Sequence, residues 1–278
     1  MANIRIIGPR SSGKTTYLAA LAYWQSLKQA GGKAGSFHIQ ALNRETEMLA
    51  EQAENIINAG ISLPPTRINP DSGVDELPFY SFRIEPKHWL RKYQPIDLAV
   101  RDHPGEIFDR LRDDNLMSMD KDFIDECLTK DVEGCLILLT GWEPKADYDY
   151  NHALRRFLEF AEAQNRTQDL RLAIAMSKCE RGEIWPGRID PEEDLFQVHL
   201  ELTWRLLRSK IPAPNLRFYA LSTFGVMNGR TDPRPNRQDE LGQTGRNSTL
   251  REPGQWHPYG LISPLYWLNT GKEMNTDA

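Results

Sequence analysis

The chain has 278 residues, of which 40% are hydrophobic and 26% are charged, a balance typical of globular proteins that bury a core. Its formal net charge is −5, whereas nucleic-acid binders usually carry a basic surplus, so we expect no nucleic-acid partner. The three cysteines lack CxxC spacing, which favours reduced thiols over a disulfide framework or a zinc site. We find no signal-peptide pattern and no apolar run near the ~20 residues that span a bilayer, so we expect a cytoplasmic protein without a membrane span.

Apolar, β-rich runs alternate along the chain with segments that have helical periodicity. The predicted strands are, in chain order, 4–7, 77–86, 96–100, 135–140, 170–176 and 216–221. The predicted helices are 14–29, 42–59, 107–128, 151–164 and 191–207. Most strand candidates are continuously apolar, as in strands buried on both faces of a parallel sheet, and 77–86 and 96–100 are expected to be antiparallel neighbours. The pattern predicts an α/β fold of three layers, a mostly parallel central sheet with helices on both faces.

Composition divides the chain into one main domain and two C-terminal segments. The main domain is expected over residues 1–227, with the polar amphipathic helix 42–59 as an insertion before a Pro/Gly/Asp-rich loop. Residues 228–258 are rich in glycine, proline and arginine and predict a flexible loop. Residues 259–278 regain apolar character and are expected to pack back on the same domain.

The first strand candidate is followed by GPRSSGKT, which fits the pattern GxxxxGK[ST] of a phosphate-binding loop at every fixed position. Glycines let such a loop turn its backbone N–H groups inward, and the helix that follows adds its positive N-terminal end. Lys14 would reach the β- and γ-phosphates, and the Thr15 hydroxyl would bind Mg²⁺. The residues predicted to bind the phosphates are Gly8, Ser11, Ser12, Gly13, Lys14, Thr15 and Thr16.

The strand candidate 96–100 leads directly into a DxxG pattern, Asp102 to Gly105. An aspartate at this edge of the sheet can hold Mg²⁺, and a glycine three residues later can offer its N–H to a γ-phosphate. The pattern is short and also occurs in ordinary loops, but its position directly after an apolar strand favours the functional interpretation.

The last two strand candidates end in polar residues suited to a purine base. Ser177, Lys178 and Glu180 stand where GTP-binding proteins carry [N/T]KxD, with Ser in place of Asn or Thr and Glu in place of Asp. The carboxylate would accept hydrogen bonds from guanine N1 and N2, although a solvated Lys/Glu pair remains the alternative. Ser222 and Thr223 end the last strand, where guanine-binding proteins often contact the base oxygen.

These motifs, in this order over residues 3–223, resemble the TRAFAC class of P-loop GTPases, in particular the Ras-like group and its bacterial double-GTPase-type relatives. The C-terminal WHPYGLISPLYWL is similar to a segment of those bacterial relatives. The resemblance implies a P-loop NTPase domain that binds GTP or GDP with Mg²⁺ and meets a regulatory or effector protein. It further implies that Thr66, in the loop before the DxxG strand, closes on Mg²⁺ and the γ-phosphate, so the expected metal ligands are Thr15, Thr66 and Asp102.

The catalytic candidates are Lys14, Thr66, Glu106 and Arg10. Glu106 replaces the glutamine that Ras-like proteins carry after the DxxG glycine, and a carboxylate there would be repelled by the γ-phosphate. His103, inside the turn, could orient water or simply face solvent. Arg10 replaces a glycine of small GTPases and would either supply charge to the γ-phosphate or block an arginine from a partner.

Three functions fit the sequence. The first is a Mg²⁺-dependent GTPase with slow hydrolysis that acts as a partner-gated molecular switch. The second is a pseudo-GTPase scaffold that holds nucleotide, which Glu106 and Glu180 motivate. The third is an ATP-using enzyme such as a small kinase or ATPase, and in a kinase the arginine-rich segment 228–251 would serve as a lid over the substrate.

Overall fold

The computed structural model describes residues 1–26, 37–59, 74, 77–87, 92–113, 116–141, 143–227, 234–239 and 248–274. The strands of its main sheet are β1 (Ala2–Ile7), β2 (Phe37–Ala41), β3 (Phe79–Pro86), β4 (Ile96–Asp102), β5 (Gly134–Leu139), β6 (Arg171–Met176) and β7 (Leu216–Ala220). They lie in the order β2-β3-β4-β1-β5-β6-β7. The strands β4, β1, β5, β6 and β7 run parallel to one another. At one edge of the sheet, β3 pairs antiparallel with β4 and β2 pairs antiparallel with β3. The predicted mostly parallel sheet, with antiparallel pairing of the two strands before residue 103, is confirmed.

Helices cover both faces of the sheet. They are α1 (Lys14–Ser26), α2 (Arg44–Ala59), α3 (Gly105–Arg110), α4 (Ser118–Cys127), α5 (Ala146–Ala163), α6 (Gln197–His199), α7 (Glu201–Lys210) and α8 (Ser263–Thr270). One hydrophobic core joins α1, α2 and α8 to one face, and a second joins α3, α4, α5 and α7 to the other. The three-layer α/β arrangement is therefore confirmed. None of the helices in the described parts of the chain has the length and apolar character needed to cross a membrane.

The middle strands are continuously apolar because both of their faces are buried. In β5, Leu136 and Leu138 belong to the core under α1 and α8, while Cys135, Ile137 and Leu139 belong to the core under α5. Successive side chains of a strand point to opposite faces, so a strand covered on both sides needs an apolar residue at every position. Because β1, β4, β5, β6 and β7 run parallel, their carboxyl ends lie at one edge of the sheet.

Two predicted helices are interrupted in the structure. The predicted helix 107–128 is wrong as one element, because α3 ends at Arg110 and α4 begins only at Ser118. The Asp120 carboxylate accepts a hydrogen bond from the Met117 backbone N–H, which starts α4 anew. The predicted helix 191–207 is a π-helical turn over Pro191–Phe196 followed by α6 and α7, with Leu200 outside helical geometry at φ −136°.

Three further elements complete the fold. The edge strand β2 was not predicted, because its alternating FHIQA is short and half polar. Within 228–258, the described residues include an antiparallel hairpin of β8 (Arg237–Asp239) and β9 (Ser248–Leu250). In the C-terminal segment, α8 is buried against the sheet, and the Arg171 guanidinium donates to the Leu268 carbonyl at 2.7 Å.

Candidate functional site

The loop that follows β1 turns sharply at a glycine that has a positive φ. Gly8 has φ +148°, and a Cβ atom there would lie 2.3 Å from the Leu138 carbonyl oxygen, so only glycine fits. The Lys14 ammonium turns back over the loop and donates to the carbonyl oxygens of Gly8 at 2.7 Å and Pro9 at 3.0 Å. Strand, loop and the N-terminus of α1 thus stand in the order that phosphate binding requires.

Lys14 is a buried cation. Burial lowers the pKa of its ammonium from 10.5 to about 8, against the opposing charges of Asp102 and Asp109. A buried ammonium is destabilised until a strong counter-anion is supplied. The side chain is therefore suited to a polyanionic ligand that enters beside the loop.

Thr15 and Asp102 meet at the end of β4. The Thr15 hydroxyl donates to Asp102 Oδ2 at 3.1 Å. Asp102 is buried, and its second oxygen, Oδ1, has no hydrogen-bond partner among the described residues. Burial raises the pKa of the Asp102 carboxyl, opposed by the charge of Lys14. A buried carboxylate with an unsatisfied oxygen beside a threonine hydroxyl is a donor set that suits Mg²⁺.

The DxxG turn rests directly on the phosphate loop. A Cβ atom on Gly105 would lie 2.6 Å from the Arg10 backbone nitrogen and 2.8 Å from the Pro9 carbonyl carbon. The Arg10 side chain is 67% exposed and its Nε donates to Asp109 Oδ2, in α3, at 2.9 Å. Two contacts, one of backbone and one of charge, therefore join the loop to the helix after the turn.

A single cleft of about 980 Å³ connects these groups to the carboxyl ends of β6 and β7. The residues that line it and were predicted as site residues are Arg10, Ser11, Ser12, Gly13, Lys14, Thr15, Thr16, Asp102, Gly105, Glu106, Ser177, Lys178, Glu180 and Thr223. Most residues proposed from separate motifs are therefore brought together around one space. Gly8 and Ser222 do not line it, and Thr66 lies outside the described residues.

The far end of the cleft contains Glu180, which is fully buried. Neither of its carboxylate oxygens has a hydrogen-bond partner among the described residues. Burial raises the pKa of Glu180, opposed first by the nearby Ser222 hydroxyl and then by the charge of Arg237. Beside it, burial lowers the pKa of Lys178 to about 8. Unsatisfied buried carboxylate oxygens are costly, so this end of the cleft is suited to a ligand that brings N–H donors.

Two serines near this end support the site from behind. The Ser177 hydroxyl donates to the Ser12 carbonyl at 2.7 Å, which ties the end of β6 to the phosphate loop. Ser222 is buried, and its hydroxyl accepts from the Gly225 N–H at 2.8 Å. In this structure, Ser177 and Ser222 thus both bond to the protein itself. The Ser12 hydroxyl, in contrast, is buried without a hydrogen-bond partner among the described residues.

Two side chains close to Gly105 in the sequence, Glu106 and His103, differ in exposure. Glu106 is exposed at the rim of the cleft. His103 is buried, not solvent-facing, and its Nε2 lies 2.9 Å from Glu126 Oε2. Burial lowers the pKa of His103, opposed by that hydrogen bond. His103 therefore anchors the turn to α4.

His103, Glu126 and Cys127 form a cluster whose ligand-type atoms lie within 4.8 Å of one another. Glu126 is already engaged, because its carboxylate receives Arg5 Nε at 2.8 Å and lies 2.5 Å from the Arg5 second guanidinium nitrogen. All three cysteines of the chain are buried and unpaired. The cluster is thus an internal ion-pair network beneath the turn.

Arg237, in β8, is a cleft residue that the motif analysis missed. Its guanidinium is only 4% exposed, and one nitrogen lies 3.7 Å from Glu180 Oε1. The only signal in the sequence was the excess of arginine in the segment 228–258, which does not say which arginine turns inward. Its contact with Glu180 depends on the path of the hairpin.

No protein-family model and no curated protein sequence matches the chain. Among solved structures, the signal recognition particle receptor SRb-GTP/SRX complex from Chaetomium thermophilum matches with a TM-score of 0.42 and 10% identity, over 83% of this chain and 93% of that chain. The G domain of the T. maritima FeoB iron transporter matches with a TM-score of 0.34 and 13% identity, over 80% and 88%. The S. cerevisiae Ski7 GTPase-like domain bound to GTP matches with a TM-score of 0.41 and 14% identity, over 87% and 47%.

At these TM-scores and identities the likenesses decide nothing by themselves. The chain's own features carry the conclusion: the glycine-bounded loop after β1, the Asp102 turn after β4, and Glu180 after β6 all meet at one edge of a sheet with parallel central strands. Ligands of such sheets bind at this edge. The described residues therefore form a three-layer α/β fold, and the cleft at this edge of its sheet is the candidate ligand site.

Proposed function

We propose that this chain binds GTP and GDP with Mg²⁺ in the cleft, hydrolyses GTP slowly and acts as a molecular switch gated by a protein partner. One observation carries the proposal. The same cleft joins a phosphate loop with a buried lysine to a buried carboxylate, Glu180, whose oxygens lack hydrogen-bond partners among the described residues. A nucleoside triphosphate supplies the anion that Lys14 needs, and guanine supplies the N–H donors that Glu180 needs.

Each phosphate-end residue has a separate role in this proposal. Lys14 leaves the carbonyls of Gly8 and Pro9 to bind the β- and γ-phosphates, and the loop N–H groups bind phosphate oxygens. Thr15 and Asp102 would hold Mg²⁺. Mg²⁺, when bound, would neutralise negative charge on the phosphates during transfer.

At the base end, Glu180 accepts hydrogen bonds from guanine N1 and N2, and the Lys178 stem packs on the base. Adenine has no N–H at position 1 and no 2-amino group, so it would leave the Glu180 oxygens unsatisfied. Rejection on this basis is strong, because an unpaired buried polar group costs about 1–3 kcal/mol and more when it is charged. This favours GTP over the ATP-using alternative.

Slow hydrolysis follows from the residues around the γ-phosphate position. Glu106 is exposed at the cleft rim and carries a charge that repels phosphate, so it is a poor substitute for a water-orienting glutamine. Arg10 is the nearest exposed cation on the loop and is bound by Asp109. An additional group from a partner would then raise the rate of GTP hydrolysis. Thr66, which lies outside the described residues, is proposed to close on Mg²⁺.

The switch hypothesis rests on the contact between the DxxG turn and the phosphate loop. Gly105 lies against the Arg10 backbone, so a γ-phosphate bound to the Gly105 N–H would act on a turn that is packed on the phosphate loop. Segments that order around a γ-phosphate and relax after hydrolysis are a known form of switching. A protein that binds α3 and the turn would sense the difference.

The proposal is tested by titrating the purified chain with GTP, GDP and ATP in a calorimeter, with Mg²⁺ present. We expect GTP and GDP to bind, and ATP to fail as a competitor. No binding of any guanine nucleotide would refute the function. The position of Glu106 favours the alternative of a pseudo-GTPase scaffold. Single-turnover hydrolysis with labelled GTP separates the two functions, because the scaffold should release no phosphate, with or without cell lysate.

A further inference from the structure

We propose that Arg237 reads the guanine base together with Glu180, by donating a hydrogen bond from its guanidinium to the O6 carbonyl. The inference rests on the proposed guanine-nucleotide binding and deepens it. It adds a specificity-determining residue that comes from the β8–β9 hairpin and not from any motif at the ends of the parallel strands.

The hairpin is built to hold Arg237 in place. In front of it, Asn236 is fully buried, its backbone N–H donates to the Gly225 carbonyl at 2.9 Å, and its side chain pairs with the Glu252 backbone N–H at 2.8 Å and carbonyl at 3.0 Å. Arg237 itself pairs in register with Leu250, which is buried in the core. The backbone on both sides of Arg237 is therefore fixed to the domain.

The Arg237 guanidinium is fixed at one end and unsatisfied at the other. Its Nε donates to Asp239 Oδ1 at 2.7 Å, and Asp239 also accepts from the Ser248 hydroxyl at 2.7 Å. The opposite nitrogen, NH1, is buried and has no hydrogen-bond partner among the described residues. This nitrogen belongs to a cleft-lining side chain, so a ligand in the cleft can accept a hydrogen bond from it.

Glu180 and Arg237 are neighbours that do not satisfy each other. Glu180 Oε1 and Arg237 NH1 lie 3.7 Å apart, beyond hydrogen-bond distance. Buried polar groups normally have partners, and a pair whose only role is charge neutralisation would gain from closing to a hydrogen bond. Here the buried Glu180 oxygens and the buried Arg237 nitrogen stand side by side at the cleft, and among the described residues none of these atoms has a hydrogen-bond partner.

Guanine offers the matching pattern on its own edge. The N1–H donor and the O6 acceptor are adjacent, so a base that gives N1–H to Glu180 presents O6 beside it to Arg237. Arginine is the side chain that most often donates to guanine O6 in base recognition. Adenine carries an amino group at position 6, which would meet the guanidinium as a second donor.

The test compares GTP, 6-thio-GTP and ITP on the wild-type chain and on Arg237→Gln, by calorimetry with Mg²⁺. In 6-thio-GTP a weakly accepting sulfur replaces O6 while N1–H remains; ITP lacks only the 2-amino group, which Glu180 reads. A hydrogen bond to a charged group is worth about 1.5–3 kcal/mol, so we expect a loss of about tenfold or more with 6-thio-GTP on the wild type. In Arg237→Gln, GTP should weaken to a similar extent and the 6-thio penalty should largely disappear, while the ITP penalty stays.

Arg234→Gln is the matched control, because Arg234 is exposed just before the hairpin and does not line the cleft; it should bind all three nucleotides as the wild type does. Equal 6-thio penalties in wild type and Arg237→Gln, or none in the wild type, would overturn the inference while leaving guanine binding intact. If the wild type binds no guanine nucleotide, the proposed function falls and the inference falls with it. Should Arg237→Gln fail to fold, Arg237→Lys and the wild-type comparison of GTP with 6-thio-GTP decide the matter.

Discussion

Gly105 and Arg10 touch through their backbones: a Cβ atom on Gly105 would lie 2.6 Å from the Arg10 nitrogen and 2.8 Å from the Arg10 Cα atom. The clash would be with main chain, which cannot swing aside as a side chain does. The turn after β4 and the phosphate loop after β1 are therefore packed as one unit, and a single methyl group at Gly105 forces them apart.

We expect Gly105→Ala to weaken GTP binding at least about tenfold and to lower the free energy of unfolding by about 1–3 kcal/mol, the usual cost of overpacking. Gly254→Ala is the matched control, because a Cβ atom there meets nothing within 4 Å. Calorimetric titration and urea unfolding of both variants provide the measurement. Wild-type GTP binding and stability in Gly105→Ala would show that the turn and the loop can move apart to admit a methyl group.

The Thr15–Asp102 pair predicts a metal-dependent affinity. Removing Mg²⁺ with a chelator should weaken GTP binding to the wild type by about tenfold or more, because the triphosphate would then lack the cation that Thr15 and Asp102 are proposed to hold. Thr15→Ala should bind GTP weakly with or without Mg²⁺, whereas Thr15→Ser, which keeps the hydroxyl, should regain the Mg²⁺ effect. Titrations with and without the chelator measure this, and a full Mg²⁺ effect in Thr15→Ala would contradict the assignment.

The sequence predicts the parts of the site that local pattern encodes. Gly8, Lys14 and Thr15 belong to one short motif, and its positions are constrained by the backbone turn that it must make. Asp102 and Glu180 were identifiable because apolar strands end just before them, and parallel strands end at one edge of a sheet. Sequence alone therefore places these residues near one another without any knowledge of tertiary contacts.

What the sequence does not predict depends on contacts between distant segments. α3 and α4 pack on the same face of the sheet, so helical periodicity alone runs through the break between them, although the hydrogen bond from the Met117 N–H to Asp120 starts α4 anew. The buried His103 forms a hydrogen bond with Glu126 on α4, and no local pattern in the sequence shows that pairing. Arg237 is one of several arginines in its segment, and only the hairpin register turns it into the cleft.

Arg10 provides a test of how the loop treats the γ-phosphate. Its side chain is 67% exposed, so its ion pair with Asp109 adds little to stability, about 0–1 kcal/mol. We expect Arg10→Ala to keep the wild-type unfolding free energy and to slow single-turnover GTP hydrolysis by about tenfold or more, because a cation near the transferred phosphate is removed. Asp109→Asn releases Arg10 and should hydrolyse GTP at least as fast as the wild type. An unchanged rate of hydrolysis in Arg10→Ala would contradict a role of Arg10 at the γ-phosphate. It would favour the alternative that Arg10 blocks an arginine from a partner.

Glu126 is the centre of the ion-pair network beneath the turn. Its carboxylate receives His103 Nε2 at 2.9 Å and Arg5 Nε at 2.8 Å, and Arg5 is only 4% exposed. Glu126→Gln leaves Arg5 buried beside a neutral group, so we expect the free energy of unfolding at neutral pH to fall by about 2–3 kcal/mol. Glu159→Gln, which removes an exposed carboxylate from its pair with Arg156, should change it by less than about 0.5 kcal/mol.

The stability difference between the wild type and Glu126→Gln should depend on pH. Burial raises the pKa of Glu126, but the hydrogen bonds from His103 and Arg5 outweigh it and lower the pKa from 4.5 to about 2. The carboxylate therefore stabilises the fold fully above pH 4.5, and this contribution is lost as the pH falls from 4.5 towards 2, since the unfolded chain takes up the proton first. Urea unfolding across this range should show the gap between wild type and Glu126→Gln narrowing as the pH falls, because glutamine does not titrate. A gap that stays constant down to the acid limit would mean that Glu126 is not held as the anion in the folded protein.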